Sequence, residues 1–372
     1  MDQDETTVDP SDGQHAGRPR QIRGRGVAFN PPNRFESTWH ELDPHADDPD
    51  LAEDPTRPRT QFLPDSSRSI VATNDSPDID FDASLNPYRG CEHGCSYCYA
   101  RPTHEYLGMS AGLDFETRIM VKHDAPDLLR KTLESPRWKP TVLALSGVTD
   151  AYQPAERRLR LTRACLEVLV EYRNPVIIVT KNALVVRDAD LLNQLAEHRA
   201  VAVFVSITTL DAALARSLEP RTSPPGRRLD AVRALAEKGI PVGVMVAPLI
   251  PGLNDHEVLN ILEAASQAGA KQATYVLLRL PGAVAPLFES WLETHRPGEK
   301  AKILNRLRTM RGGRLNDPRF GERMRGEGPI AAAIDAMFRQ ACRRNRLNES
   351  RFDVSTDAFS RPSERRQLRL FD

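Results

Sequence analysis

The sequence predicts an α/β protein built on a partial (βα)6 barrel, with a disordered N-terminal extension and a helical C-terminal extension. Three observations carry this. Short apolar runs alternate with amphipathic stretches across residues 84–295, the pattern of parallel βαβ units. The chain has 372 residues, 40% apolar and 27% charged, enough for one large well-filled domain with appendages or for two domains. Residues 1–75 lack sustained apolar periodicity and are rich in Pro, Asp, Arg and Gly, so most of this segment reads as disordered or loosely draped. A doubly wound open sheet carries the same signature. In either architecture sites gather at the C-terminal ends of the strands.

Taken in order, Gly24–Pro31 and Gln61–Pro64 carry apolar anchors suited to packing on the body. The expected strands are Ser84–Pro87, Thr141–Ser146, Val176–Thr180, Ala202–Ile207, Val242–Ala247 and Thr274–Leu278. Arg118–Lys122 reads as an extra strand before a helix at Ala125–Glu134. Helical periodicity covers Ala155–Tyr172, Asp188–His198, Arg227–Lys238, Asp255–Ala268 and Ala285–His295, with Asn254 or Asp255 as an N-cap. Ile330–Arg343 is a further amphipathic helix. The expected division is an acidic extension over 1–75, a barrel over 76–295, a basic helical extension over 296–346 and a polar tail over 347–372.

The 51 basic and 51 acidic side chains cancel, but they are not evenly mixed. Residues 1–82 carry a balance of −10 and residues 296–372 a balance of +9. Zero net charge therefore does not exclude a nucleic-acid partner. Residues 1–12 are acidic and polar, which predicts no secretory signal, and no run of 18 apolar residues predicts a membrane span. The expected location is cytoplasmic. Five cysteines in 372 residues exclude a disulfide scaffold.

Three of those cysteines, Cys91, Cys95 and Cys98, lie on one segment just past the first barrel strand. Three thiolates at this spacing can take three corners of an iron–sulfur cube and leave the fourth iron open to a small molecule. Zinc would need a fourth ligand, for which His93 and His104 are at hand. Cys165 and Cys342 sit alone on helices and read as small core residues.

Cys91-x3-Cys95-x-Tyr97-Cys98 resembles the signature of radical S-adenosylmethionine (radical SAM) enzymes. The longer string Asn86-Pro87-Tyr88-Arg89-Gly90-Cys91 through Cys98-Tyr99-Ala100-Arg101 resembles the branch related to spore photoproduct lyase. Segments Ser146–Pro154, Val179–Asn182 and Leu218–Arg221 add to the likeness, which spans roughly residues 80–300. The resemblance implies a barrel of radical SAM type, in which Cys91, Cys95 and Cys98 ligate a [4Fe–4S] cluster whose fourth iron is chelated by S-adenosylmethionine. Reductive cleavage of that cofactor would give a 5′-deoxyadenosyl radical, and an electron donor such as flavodoxin or ferredoxin would be needed. The cofactor's ammonium would meet Ser146, Gly147, Thr149 and Asp150, where the usual Gly-Gly-Glu of the family is absent. Lys181 would pair with its carboxylate, Ser206 with ribose or carboxylate, and Tyr97 would flank the adenine. Glu219 and Arg221 are further cofactor candidates, and Tyr152 is the candidate for relaying a hydrogen atom.

The tail peptide Gln367-Leu368-Arg369-Leu370-Phe371 resembles the Gln-Leu-x-Leu-Phe peptide that docks bacterial repair proteins on the sliding clamp. Leu370 and Phe371 suit an apolar pocket and Gln367 its rim. The expected function is a radical SAM enzyme acting on damaged DNA. Modification of RNA or protein is the alternative, as is a non-catalytic metal-binding protein tethered to the clamp.

Overall fold

A computed structural model of the chain describes residues 22–36, 58–79, 81–145 and 147–362. Ten strands are described: β1 Gln61–Pro64, β2 Val71–Thr73, β3 Ala83–Leu85, β4 Tyr88–Arg89, β5 Arg118–Val121, β6 Leu143–Leu145, β7 Val176–Thr180, β8 Val201–Ser206, β9 Val242–Leu249 and β10 Gln272–Leu277. Seven form one sheet in the order β10-β9-β8-β7-β6-β3-β2. From β3 through β10 every neighbour is parallel, and only β2 runs antiparallel, at the edge. Six parallel strands joined through helices form the expected partial (βα)6 barrel. All six C-terminal ends therefore face one way, and the loops after Leu85, Leu145, Thr180, Ser206, Leu249 and Leu277 share one mouth.

Burial explains why these runs are strands. In β7, Val176, Ile178 and Thr180 are buried while Ile177 and Val179 are half-buried, so both faces are covered, as parallel sheets require. Leu166 and Leu169, Leu192 and Leu195, Val232 and Leu235, and Ile261 and Leu262 supply the helix side of that core. A second cluster gathers Cys95, Tyr97, Leu214, Leu218, Ile250, Leu278, Phe288 and Trp291. It joins the cysteine loop to the loops that follow the later strands.

The expected helix over Ala155–Tyr172 is two, Glu156–Leu159 and Leu161–Tyr172. Arg160 breaks it with a left-handed φ of 55°. The Glu156 carboxylate stabilises the break by accepting from the Thr162 backbone N–H at 3.0 Å and from the Tyr88 hydroxyl at 2.5 Å. Asn254 is not a side-chain cap. Its amide holds the loop after β9 by bonding Thr208 O at 2.7 Å and Pro248 O at 3.0 Å, while its carbonyl accepts from Ile250 N at 2.6 Å.

The two terminal extensions join the body where they are described. β1 pairs parallel with β5, and β5 pairs antiparallel with β4, making a small second sheet beside the cysteine loop. Residues 22–36, expected to be draped loosely apart from Gly24–Pro31, form a strap fixed by Arg25 and Asn33. Arg25 donates to Glu116 O, Pro58 O and the Thr60 hydroxyl, and Asn33 donates to Glu105 O and Met109 O. The helix Gly328–Arg344 shares the main core through Ala331, Ile334 and Phe338, whose ring lies 4.7 Å from that of Tyr275. The chain then runs beneath the barrel, where Ser355 N meets Arg199 O and Ser360 N meets Tyr172 O. Residues 1–21 and 37–57 of the acidic extension lie outside the described residues, as do Ser146 and the peptide containing Gln367, Leu368, Leu370 and Phe371. Among the described residues no helix is long and apolar enough to cross a membrane.

Candidate functional site

The cysteine loop leaves β4 and curls at the barrel mouth. Gly90 has φ +81°, and a Cβ there would lie 2.8 Å from the His104 ring. Gly94 has φ +65° and also requires glycine. Arg101, fully buried, donates from Nε and one terminal nitrogen to Cys95 O at 3.0 and 2.8 Å and from the other to Ala111 O and Gly112 O. Its charge is balanced by Glu116, also fully buried. Gln153 staples the loop's start, donating to Gly90 O at 3.1 Å and accepting from Glu92 N at 2.9 Å. Ser96 N reaches Leu218 O at 3.0 Å. The loop's shape is therefore set by backbone bonds before any cysteine sulfur is engaged.

None of the three thiols is in a disulfide. Cys91 and Cys95 are buried and Cys98 is half-buried, among Ala100, Phe115, Val148, Leu218 and Leu278. Burial pushes all three thiols above their ordinary pKa, with Arg101 and Lys181 opposing the rise at Cys98. As free thiols in such surroundings they hold their protons, and a metal centre that displaces those protons is what makes them ligands. Of the two nearby histidines, His93 is engaged at both ring nitrogens and His104 at Nε2. His93 faces Asp150 at 3.3 Å and Asn182 at 3.2 Å, and His104 Nε2 faces Arg118 O at 2.9 Å. Among the described residues no three His, Cys, Asp or Glu side chains are gathered to hold one ion. Three thiolates spread around the corners of a cube have no need to converge so closely. The donor set thus fits a cluster with one open iron better than a zinc ion.

Behind the loop lies a charged network at the ends of β7, β8 and β9. The Lys181 ammonium donates to Ser206 Oγ at 2.7 Å, Ala247 O at 2.8 Å and Thr208 Oγ1 at 3.3 Å, and faces Glu219 Oε1 at 3.3 Å. It also lies 5.7 Å from the Tyr97 ring centre. The Tyr97 hydroxyl donates to Glu219 Oε1, as does the Thr208 hydroxyl at 2.5 Å, and Arg228 holds Glu219 Oε2. Burial alone would raise the Glu219 pKa, but Arg228 and Lys181 outweigh it and hold the carboxylate well below its usual range. Lys181 and Ser206, which as isolated residues read as a surface lysine and a strand-end hydroxyl, instead meet at one point.

Asp150 is similarly saturated. It accepts from Lys181 N at 2.7 Å, Thr180 Oγ1 at 2.7 Å and Tyr152 N at 2.9 Å. Burial opposes ionisation, yet His93 and these donors keep its pKa below the ordinary value. Gly147 O accepts from the Tyr99 hydroxyl at 2.8 Å, and the Thr149 hydroxyl lies 3.4 Å from Tyr88 O.

The structure thus brings Tyr97, Lys181, Ser206 and Glu219 together beside Cys95, with Asp150 against the Lys181 backbone and Gly147 and Thr149 on the same loop as Asp150. Three expected roles change. Tyr152 is fully buried in the main core, with Asp188 and Glu156 as its charged neighbours, so it has no access to a substrate. Arg221 bonds Glu92 at 3.1 Å and Thr60 at 3.4 Å, so its guanidinium serves the N-terminal segment rather than a cofactor. Glu219 spends both oxygens on this chain's own donors and acts as an anchor for Lys181 and Tyr97. Arg228 and Thr208 were not foreseen. Arg227 and Arg228 are identical in kind, yet their side chains are 72% and 1% exposed, a difference set by which one faces Glu219.

The strap closes over this loop. Gly26 N donates to Glu116 Oε2 at 3.1 Å, and a Cβ on Gly26 would fall 1.5 Å from Gly94 O. Gly26→Ala will therefore lift the strap. Overpacking of this kind costs about 1–3 kcal/mol, or roughly a five- to hundredfold increase in local opening. Faster tryptic cleavage at Arg23 and Arg25 is the expected readout, and an unchanged rate would show that the strap does not depend on this approach.

The comparisons agree with this geometry. The family model described as "Radical SAM superfamily" matches residues 85–265. An uncharacterized protein of Mycobacterium tuberculosis (strain ATCC 25618 / H37Rv) is 36% identical over 250 residues, covering 66% of this chain and 72% of the relative. An uncharacterized protein of Methanocaldococcus jannaschii is 31% identical over 175 residues, covering 47% of this chain and 63% of that protein. Among solved structures, a spore photoproduct lyase mutant with bound AdoMet and dinucleoside spore photoproduct shares the fold. Its TM-score is 0.56 at 17% identity, over 76% of this chain and 78% of that one.

Proposed function

The chain belongs to the radical SAM superfamily and is a radical SAM enzyme, and on that premise we propose that it acts on a nucleic acid, with a damaged DNA base as the first candidate. The carrying observation for the chemistry is the loop of three free thiols at the C-terminal ends of six parallel strands, with the Lys181 ammonium beside it. In this reading Cys91, Cys95 and Cys98 hold a [4Fe–4S] cluster. When bound, the cluster and S-adenosylmethionine supply a one-electron C–S cleavage that yields a 5′-deoxyadenosyl radical.

The rest is the work of this chain's residues. Lys181, held by Ser206 and Ala247 O, presents a positive charge that would pair with the cofactor's carboxylate. The loop Gly147–Asp150 offers carbonyl and hydroxyl acceptors to its ammonium, and Tyr97 keeps one side of the adenine pocket rigid through its bond to Glu219. The apolar wall of Leu218, Leu278 and Phe115 keeps water from the radical.

The nucleic-acid assignment is supported by the +9 balance of residues 296–372, by the clamp-like tail peptide and by the likeness in fold to a lyase solved with a dinucleoside spore photoproduct bound. The tail would tether the enzyme to the sliding clamp through Gln367, Leu368, Leu370 and Phe371. The reaction itself is left open. A hydrogen-returning cysteine has no evident place, because Cys165 is fully buried and Cys342 is 5% exposed, both on core helices. That observation favours a second reading, radical modification of RNA or protein, in which no such return step is needed.

The test is anaerobic reconstitution followed by dithionite. Four irons, four sulfides and released 5′-deoxyadenosine per chain are expected. Label from deuterated lesion-bearing DNA should then appear in the 5′-deoxyadenosine. A protein holding one zinc and no sulfide would overturn the enzyme reading, and label arriving only from RNA or protein would overturn the DNA one.

A further inference from the structure

On the outer side of the cysteine loop, the strap and Arg221 enclose an open cleft of about 450 Å³ lined by Arg23, Gly24, Arg25, Pro58 and Arg221. Three of these five residues are arginines and none is acidic. Arg25 and Arg221 converge on one neutral atom, the Thr60 hydroxyl, at 3.2 and 3.4 Å, and that hydroxyl donates to Glu92 at 2.8 Å. Glu92, 3.1 Å from Arg221, and Glu116, which is also paired with Arg101, are the carboxylates that act on these guanidiniums. Arg23 is exposed and Arg25 is held by carbonyl oxygens. Like-charged guanidiniums brought this close are stable when a further anion joins them.

The cleft is one layer of backbone from the thiols. Arg221 N donates to His93 O at 3.2 Å, Glu92 directly follows Cys91, and Gly26 packs on Gly94. The enzyme proposed above needs one electron for each reductive cleavage, and Cys91 and Cys95 are buried beneath this backbone. An electron arriving from this side crosses the backbone of the cysteine loop, and the face it crosses carries three arginines.

We propose that the Arg23–Arg25–Arg221 cleft is the docking site of an acidic, low-potential one-electron carrier protein, whose surface carboxylates enter the cleft. One electron passes from the reduced carrier, which is oxidised, to the oxidised cluster, and no atom is transferred. This rests on the radical SAM reading above. The driving force for docking is charge complementarity, which governs encounter and weakens with salt.

Arg23→Glu tests it, because Arg23 is exposed and its removal leaves the strap's bonds intact. Reconstituted holoenzyme is titrated with flavodoxin by surface plasmon resonance, and 5′-deoxyadenosine is measured with either reduced flavodoxin or dithionite. At low salt the flavodoxin Kd and KM of the variant should rise at least about tenfold, and the difference should shrink in 1 M NaCl. Dithionite-driven turnover should equal that of the parent. A flavodoxin Kd within twofold of the parent would overturn the proposal. So would a loss of affinity for single-stranded DNA with flavodoxin unaffected, which would assign the cleft to a phosphate backbone. Parent protein inactive even with dithionite would instead overturn the enzyme reading, and the binding titration would still decide the cleft.

Discussion

Glu219→Gln will lower the stability of the protein by about 3–5 kcal/mol, the usual cost of removing one partner from a buried ion pair. The amide keeps the shape but leaves Arg228, 1% exposed, and Lys181 without a counter-charge. One of the two accepting oxygens also becomes an NH2 donor, so either Arg228 or the Tyr97–Thr208 pair loses its acceptor. Urea unfolding followed by circular dichroism should show a lower midpoint at unchanged slope. Adding Arg228→Met should recover part of the loss, because the stranded guanidinium is then gone. The pH dependence has a definite sign. The folded pKa of Glu219 lies below its ordinary value of 4.5, so its contribution is complete above about pH 4.5 and fades as the pH falls toward the folded value. The parent should therefore lose more stability than Glu219→Gln on acidification below pH 4.5. Equal midpoints for the two proteins at neutral pH would contradict the role given to Glu219.

Cys95→Ala will remove the metal centre while leaving the fold in place. The loop is shaped through the backbone of Cys95, whose carbonyl is gripped by Arg101, and that carbonyl survives the substitution. Far-ultraviolet circular dichroism should be unchanged. Iron and sulfide after reconstitution should fall below about a tenth of the parent value, since a cube held at two corners has lost a ligand it cannot replace. Production of 5′-deoxyadenosine should vanish. Cys165→Ala is the matched control: its side chain is fully buried on the helix Leu161–Tyr172, and it should keep full iron content. Full iron in Cys95→Ala would remove this residue from the ligand set.

Much of the barrel was legible because its strands are apolar runs with sharp ends. Val176–Thr180 was bounded correctly, since Pro175 and Lys181 punctuate it. The helix Ala212–Leu218 was missed although its signal was present. Asp211 caps it by accepting from Ala213 N and Leu214 N, and a charged residue before Ala-Ala-Leu is a readable start. Tyr152 was placed near substrate because it follows Asp150, but the loop turns it into the core. No local pattern reports that turn. Arg228 and Arg227 could not be told apart either, because what separates them is a partner nine residues away in the chain and adjacent only in the fold. Gly26 had no signal of its own, since its importance lies in how closely Gly94 approaches.

The strap also sets an order of assembly. Residues 22–36 are made well before Glu116, yet Gly26 is bonded to that residue, 90 positions later in the chain. Until residue 116 has emerged the strap lacks the acceptors that Glu116 gives to Arg25 and to Gly26 N, and its closure over the cysteine loop is incomplete. Closure then covers the cysteine loop where Gly26 meets Gly94. A strap made before its acceptor is a segment whose seating waits on the chain that follows it.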